Sequence, residues 1–214
     1  MTSNLSLDRI DRAILDLLTR RVRLATEDQI RCYAETQLRS ASSMGRRLRR
    51  LEKAGLLFRE QALVGFIPFI TPLHASRPGH ADPDYDALAW RLEWRWAHAA
   101  SESHALFWAS PRAVQLFGGS SGWLRQPLQI QHDLAVTAVF LRRMQTRPAQ
   151  MAGWVSEDRL RQRSTELRLR GIPDAAIVAD NGTLQTVIEL GGVYPAEKLR
   201  RFHRNFRVFP YELW

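Results

Sequence analysis

Apolar positions repeat at helical spacing through the first quarter of the chain. Leu7, Ile10, Ile14, Leu17 and Leu18 fall on one stripe and predict a helix over 6–20, with Ser6 or Asp8 placed to cap it. Thr26 predicts the N-cap of a short second helix through Tyr33. Glu27 and Asp28 behind it complement the positive end of that helix's dipole. A polar turn, Glu35 to Arg39, leads to a third helix. Its Met44, Leu48 and Leu51 stand at i, i+4 and i+7 and therefore share one face. Gly55 is positioned as the C′ residue that stops this helix. Leu56 to Arg59 then starts an extended segment, and a second one near Leu63 to Ile70 is expected to close a hairpin with it.

Beyond this point the pattern changes. Residues 71–83, TPLHASRPGHADP, are punctuated by three prolines and a glycine and read as a linker, with His74 and His80 as polar loop residues. Residues 84–103 read as a helix. Leu88, Leu92, Trp96 and Ala99 line one face, and Trp90 and Trp94 form an adjacent strip. Such wide apolar coverage favours packing against core or a second subunit over base stacking. Residues 105–127 show no clear period, and Gly118 to Gly122 form a flexible turn. Residues 128–146 give a helix with Ile130, Leu134, Val136, Val139, Phe140 and Leu141 on its core side, and His132-Asp133 reads as a structural polar pair. A charged helix is expected over 154–170. Strands over 175–179 and 184–190 flank Asp180-Asn181-Gly182, a strong hairpin-turn signal. Pro195 suits the first turn of a helix over 195–206, and Val208-Phe209 is expected to add a final strand.

Charge sharpens the reading of the third helix. The chain of 214 residues carries a net charge of +9, and its first 60 residues hold thirteen cations against eight acids. Arg46, Arg47, Arg49, Arg50 and Lys53 sit on the third helix with one acid, Glu52. A helix seated by three apolar residues and cationic on its outer face suits a DNA groove. The candidate DNA-contacting set is Ser40, Ser42, Ser43, Arg46, Arg47, Arg49, Arg50 and Lys53. Cys32 is the one cysteine, which excludes an intrachain disulfide and a cysteine-rich zinc site. Acids interleaved with the first apolar residues argue against a signal peptide, and no apolar run approaches membrane-spanning length. A cytoplasmic protein without membrane association is expected.

Three helices and a hairpin, with RRLRRLEKAGLLFRE at the helix-to-strand junction, resemble a bacterial winged helix-turn-helix over residues 6–70. The resemblance implies that the third helix enters the major groove. A second resemblance lies near the C-terminus. Pro173-Asp174, a hairpin and then Glu189 look like the core of the PD-(D/E)XK nucleases. That likeness implies Asp174 and Glu189 as ligands of a divalent metal such as Mg²⁺, with Glu157 as an upstream helix acid. The lysine of the motif should stand two residues after Glu189, where this chain has Gly191; the C-terminal region's one lysine is Lys198. Arginine stays protonated and cannot replace it as a base. The simpler reading is therefore a nuclease-like fold without catalysis and without a cofactor.

Taken together, the N-terminal winged helix, HDLAVTAVFL, Trp154, Glu157, the PDA and IEL segments and Lys198-Leu199 resemble the replication-relaxation proteins of plasmids and other mobile elements. The implied fold class is α+β: a winged helix-turn-helix domain over 1–72, then a helical segment and a small restriction-endonuclease-like α/β domain over 84–214, with its core at 154–211. The implied function is sequence-specific binding of double-stranded DNA, in transcriptional regulation or in replication and relaxation. The C-terminal domain would serve scaffolding or homodimerisation, and other replication or relaxation proteins are further implied partners. The alternative is a metal-dependent endonuclease or nickase using Asp174 and Glu189, with Glu157 and Lys198 in support.

Overall fold

A computed structural model of the chain describes residues 6–38, 43–65, 71–99, 101–120 and 127–214. The protein is mixed α+β with two separate sheets. A division at 72 and 84 sets two domains end to end, whereas the compact units interleave. Unit 1 is Met1–Val64 with Ser101–Gln145, and unit 2 is Gly65–Ala100 with Thr146–Trp214.

Unit 1 begins with α1 (Arg9–Asp16), which Asp8 caps. The Asp8 carboxylate accepts from the backbone N–H groups of Ile10 and Asp11 at 2.8 and 2.9 Å. The Asp11 side chain accepts in return from the Asp8 N–H at 3.1 Å, completing a capping box. The helix continues as a π-helical turn, Leu17–Arg21, which keeps Leu17 and Leu18 buried beside Ile14. β1 (Ala25–Thr26) leads into α2 (Glu27–Leu38). Thr26 and Gln29 form a second reciprocal cap, with N–H to side-chain oxygen distances of 3.1 and 3.2 Å. α3 (Met44–Lys53) seats Met44, Leu48 and Leu51, each at most 1% exposed. Burial of each contributes roughly 1.5–3 kcal/mol. Gly55, at φ +70°, ends the helix. The Leu56 N–H donates to the Leu51 carbonyl at 3.0 Å and the Gly55 N–H to the Glu52 carbonyl at 2.8 Å, a Schellman pair.

β2 (Leu57–Gly65) follows, and its described partner comes well beyond it in the chain. The chain first contributes β3 (His74–Ser76) and α4 (Tyr85–Ala97) to unit 2, then returns as β4 (Ser101–Ala109). The unit 1 sheet has the order β1-β4-β2, so β4 is its central strand. The hairpin expected near Leu63 to Ile70 is corrected accordingly. Leu63 to Gly65 belong to β2 itself, and residues 66–70 lie outside the described residues. The helix expected over 84–103 stops at Ala97, because Ser101 onward is needed in the sheet. α5 (Pro111–Phe117) and α6 (Pro127–Thr146) complete the unit. Ser110 ties β4 to the exit of α3. Its N–H donates to the Leu56 carbonyl at 3.0 Å and its Oγ to the Gly55 carbonyl at 2.6 Å. Arg112 donates to the Ala54 carbonyl at 2.8 Å, so carbonyls that α3 leaves open are satisfied. The core gathers Leu24, Val64, Leu106, Ile130 and Leu134. Asp133, 5% exposed, accepts from Gln129 at 2.8 Å and Arg23 at 3.4 Å, a structural role for that acid.

Unit 2 is built on a five-stranded mixed sheet of order β3-β8-β7-β6-β5. Its remaining elements are β5 (Trp154–Ser156), α7 (Glu157–Gln162), β6 (Ala175–Val178), β7 (Leu184–Glu189), α8 (Ala196–Phe206) and β8 (Tyr211–Leu213). β5, β6 and β7 are antiparallel, β7 and β8 are parallel across α8, and β3 joins β8 antiparallel. Gly182, at φ +82°, makes the β6–β7 turn, and Asn181 Oδ1 accepts from the Thr183 N–H at 3.0 Å. The linker expected over 71–83 thus contains an edge strand. The charged helix expected over 154–170 is cut short at both ends. Trp154 and Val155 are buried in β5, opposite Ile177 and Ala176. Leu167, Leu169 and Ile172 pack onto the core from a turn region instead of a helix face. The final strand lies at Tyr211–Leu213, just beyond Val208-Phe209.

Candidate functional site

The five cations of α3 divide into two groups. Arg47 is drawn inward: its Nη1 lies 2.6 Å from Asp11 Oδ1 and 2.7 Å from Asp8 Oδ2. Arg50 pairs with the other oxygen of Asp11. The Asp11 side chain is fully buried, and that of Arg47 is 16% exposed. Burial works against the Arg47 charge, but Asp11 and Asp8 outweigh it and hold the guanidinium above its ordinary pKa. Burial also pushes the Asp8 carboxyl up, while the Asp11 N–H and Arg47 pull it further the other way, to a net lowered pKa. The N-cap of α1 is therefore also the clamp on α3.

Arg46, Arg49 and Lys53 remain exposed. Their i, i+3, i+7 spacing places them on one face, away from the buried seam. Among the described residues none of these three forms an ion pair within 4.0 Å. Ser43, in left-handed conformation at φ +62°, precedes the helix and its Oγ accepts from Arg46 Nη2 at 2.5 Å. Ser40 and Ser42 lie outside the described residues. Sequence reading missed the clamp residues Asp8 and Asp11, whose interleaved position in the first helix signalled only a cap.

Unit 2 gathers Asp174, Glu189 and Lys198 around a side chain not foreseen, Tyr194. The Tyr194 hydroxyl donates to Glu189 Oε1 at 3.1 Å. Lys198 Nζ stands 3.2 Å above the Tyr194 ring centroid, a cation–π contact. Asp174 Oδ2 accepts from the Leu190 N–H at 2.7 Å. Burial, then the charges of Glu189 and Asp174, push the Tyr194 hydroxyl far above its ordinary pKa. Burial lowers the pKa of Lys198 against the pull of the same two acids. Glu157 pairs with Arg161 Nη2 at 2.7 Å, and it follows Ser156, whose register partner Ala175 is the neighbour of Asp174.

Gly191 has a clear local reason. A Cβ there would lie 2.4 Å from Leu92 Cδ2 of α4. Its carbonyl accepts from Trp96 Nε1 at 2.7 Å, and its N–H donates to the Trp214 carbonyl at 2.9 Å. The place where the motif expects a lysine is thus occupied by α4. Among the described residues no three histidine, cysteine or acidic side chains gather as a metal-holding group. Asp174 and Glu189 each accept a hydrogen bond, from the Leu190 N–H and from the Tyr194 hydroxyl.

On α4, Leu88 and Leu92 are buried as expected, whereas Trp90 and Trp94 are 65% and 54% exposed. Trp94 stacks on His98 with ring centroids 4.5 Å apart. No described helix is long and apolar enough to cross a membrane. No protein-family model matches the chain, and no curated protein or solved structure matches it either.

Proposed function

We propose that the chain is a sequence-specific double-stranded DNA-binding protein of a plasmid or mobile element, with unit 1 as a winged helix-turn-helix and α3 as its recognition helix. One observation carries the reading: the exposed row Arg46, Arg49 and Lys53 on a helix whose opposite face is seated by Met44, Leu48 and Leu51. The element order α1, β1, α2, α3, β2, β4 and the sheet order β1-β4-β2 support it, since a winged helix uses that arrangement. Arginine can fork onto guanine or grip phosphate, so the same row serves base reading and anchoring. The resemblance to replication-relaxation proteins suggests transcriptional control or replication and relaxation as the process. Unit 2 then acts as scaffold, and the exposed Trp90 and Trp94 offer surface for a second copy. Light scattering over a range of concentrations tests that last point.

The decisive experiment is a gel-shift titration with DNA from around the chain's own gene, across salt concentrations. Replacing Arg46, Arg49 and Lys53 by alanine should weaken binding and flatten the slope of log K against log salt by up to about 2.7. Unaltered binding and slope in a folded triple variant would overturn the reading.

The nuclease reading has one observation in its favour, the gathering of Asp174, Glu189 and Lys198 around Tyr194. It predicts nicking of supercoiled plasmid with Mg²⁺ or Mn²⁺ that disappears in Asp174→Ala. Absence of nicking with either metal removes it.

A further inference from the structure

Unit 2 carries a second basic surface, distinct from α3. Segments 167–172 and 200–209 together contain six arginines and no acid. The packing brings them together. Leu167, Leu169 and Ile172 are turned into the core that includes Phe206, with Phe202 packed against it. Arg168 and Arg170 alternate with those leucines and are exposed. A Cβ at Gly171 would lie 3.2 Å from Asn205 Nδ2 and 3.8 Å from the Phe206 ring. This segment therefore runs against the last turn of α8, whose exposed cations are Arg201 and Arg204, with Arg207 just after it. Arg204 is shared with Glu197 at 3.1 Å.

Arg168 adds an independent observation. The Leu169 N–H donates to the Ser164 carbonyl at 3.0 Å and the Arg168 N–H to the Thr165 carbonyl at 3.2 Å. Those two bonds make a Schellman turn, with Arg168 at its C′ position and φ +52°. Glycine adopts that conformation freely, whereas the Cβ of any other residue crowds the following carbonyl there. A charged side chain kept where the backbone favours glycine points to a use for the charge.

We infer that Arg168, Arg170, Arg201 and Arg207 form a second contact surface for the phosphate backbone of duplex DNA. The inference rests on the DNA-binding reading of α3 and extends it to unit 2. The partner chemistry follows from the residues. Guanidinium forks match phosphate oxygens two at a time, and among the described residues none of these four arginines is held in an ion pair, Glu197 being taken up by Arg200 and Arg204. A bilayer surface fits less well, since Val208 is the one large apolar side chain exposed among the described residues of these two segments.

The test uses the full chain and mixed-sequence duplex DNA of several turns, read by fluorescence anisotropy over a range of salt. Arg201→Ala with Arg207→Ala should lower affinity and flatten the salt slope by roughly 0.9 for each phosphate contact removed. Arg168→Gly is the discriminating variant. It should raise the melting temperature by relieving the left-handed backbone while weakening DNA binding, a pair of effects that a purely structural arginine does not produce. If both unit 2 variants bind like the parent, while the α3 triple alanine variant does not, the inference falls and the α3 reading stands. If the parent itself binds no duplex DNA, both fall. If unit 2 variants weaken binding and the α3 variant does not, this surface stands and α3 loses its role.

Discussion

Asp11 shows how much one residue can decide. It receives two arginines that the sequence assigns to DNA, at separations of 36 and 39 residues along the chain. Replacing one partner of a buried, hydrogen-bonded pair leaves the other charge uncompensated. Asp11→Ala should therefore destabilise unit 1 by about 2–3 kcal/mol, measured by urea denaturation. Arg47→Ala should likewise lower stability, whereas Arg46→Ala should leave the melting temperature unchanged and act on DNA affinity alone. Equal thermal effects from Arg46 and Arg47 would contradict this division. In unit 2, Gly191→Lys should not restore a nuclease motif, because its side chain meets Leu92. It should cost about 3 kcal/mol or more by overpacking, seen as a lower urea midpoint. His74 makes stability depend on pH. Burial, then His203, His80 and Arg91, hold its folded pKa below its ordinary value of 6.5. The unfolded chain therefore takes up the proton first as pH falls, and stability is lost downward from about 6.5. His74→Gln should flatten that part of the profile of melting temperature against pH.

At the scale of elements, legibility followed locality. The α3 seam was readable because Met44, Leu48 and Leu51 repeat within one helix, and Leu48→Ala should cost about 2–5 kcal/mol in a urea titration. Thr26 and the Asp180-Asn181-Gly182 turn were readable for the same reason: their partners lie two or three residues away. β4 was not readable. Its inner half, Leu106 to Ala109, is buried with one interruption, and its outer half is exposed, so no alternation marks it as a strand. Its pairing with β1 and β2 is also remote in sequence. The candidate site follows the same rule. Exposure of Arg46, Arg49 and Lys53 follows from helical geometry, while the capture of Arg47 and Arg50 depends on a separate helix. Tyr194 and Leu92, which shape the surroundings of Glu189 and Gly191, carry no motif of their own. The loss of a helix beyond Gln162 reflects a similar conflict, with core-facing Leu167 and Leu169 at alternate positions.

At the scale of the whole molecule, the interleaving of the units governs what can be cut away. A fragment of residues 1–72 lacks β4 and therefore the middle of its own sheet. It should remain largely unfolded, as judged by near-ultraviolet circular dichroism. A chain that joins Met1–Val64 to Ser101–Gln145 through a flexible linker should fold and retain the α3 row. A well-folded 1–72 fragment would contradict this account.

The central position of β4 also bears on the order in which the protein can be made. On the ribosome, α1, α2, α3 and β2 emerge well before the strand that unites β1 with β2. Until Ser101–Ala109 leaves the exit tunnel, β2 lacks the strand beside which it lies in the finished sheet. Nascent chains with an unfinished sheet are prone to capture by one another. The slow step of biogenesis should then be the wait for β4, with a need for chaperone cover that ends as that strand arrives.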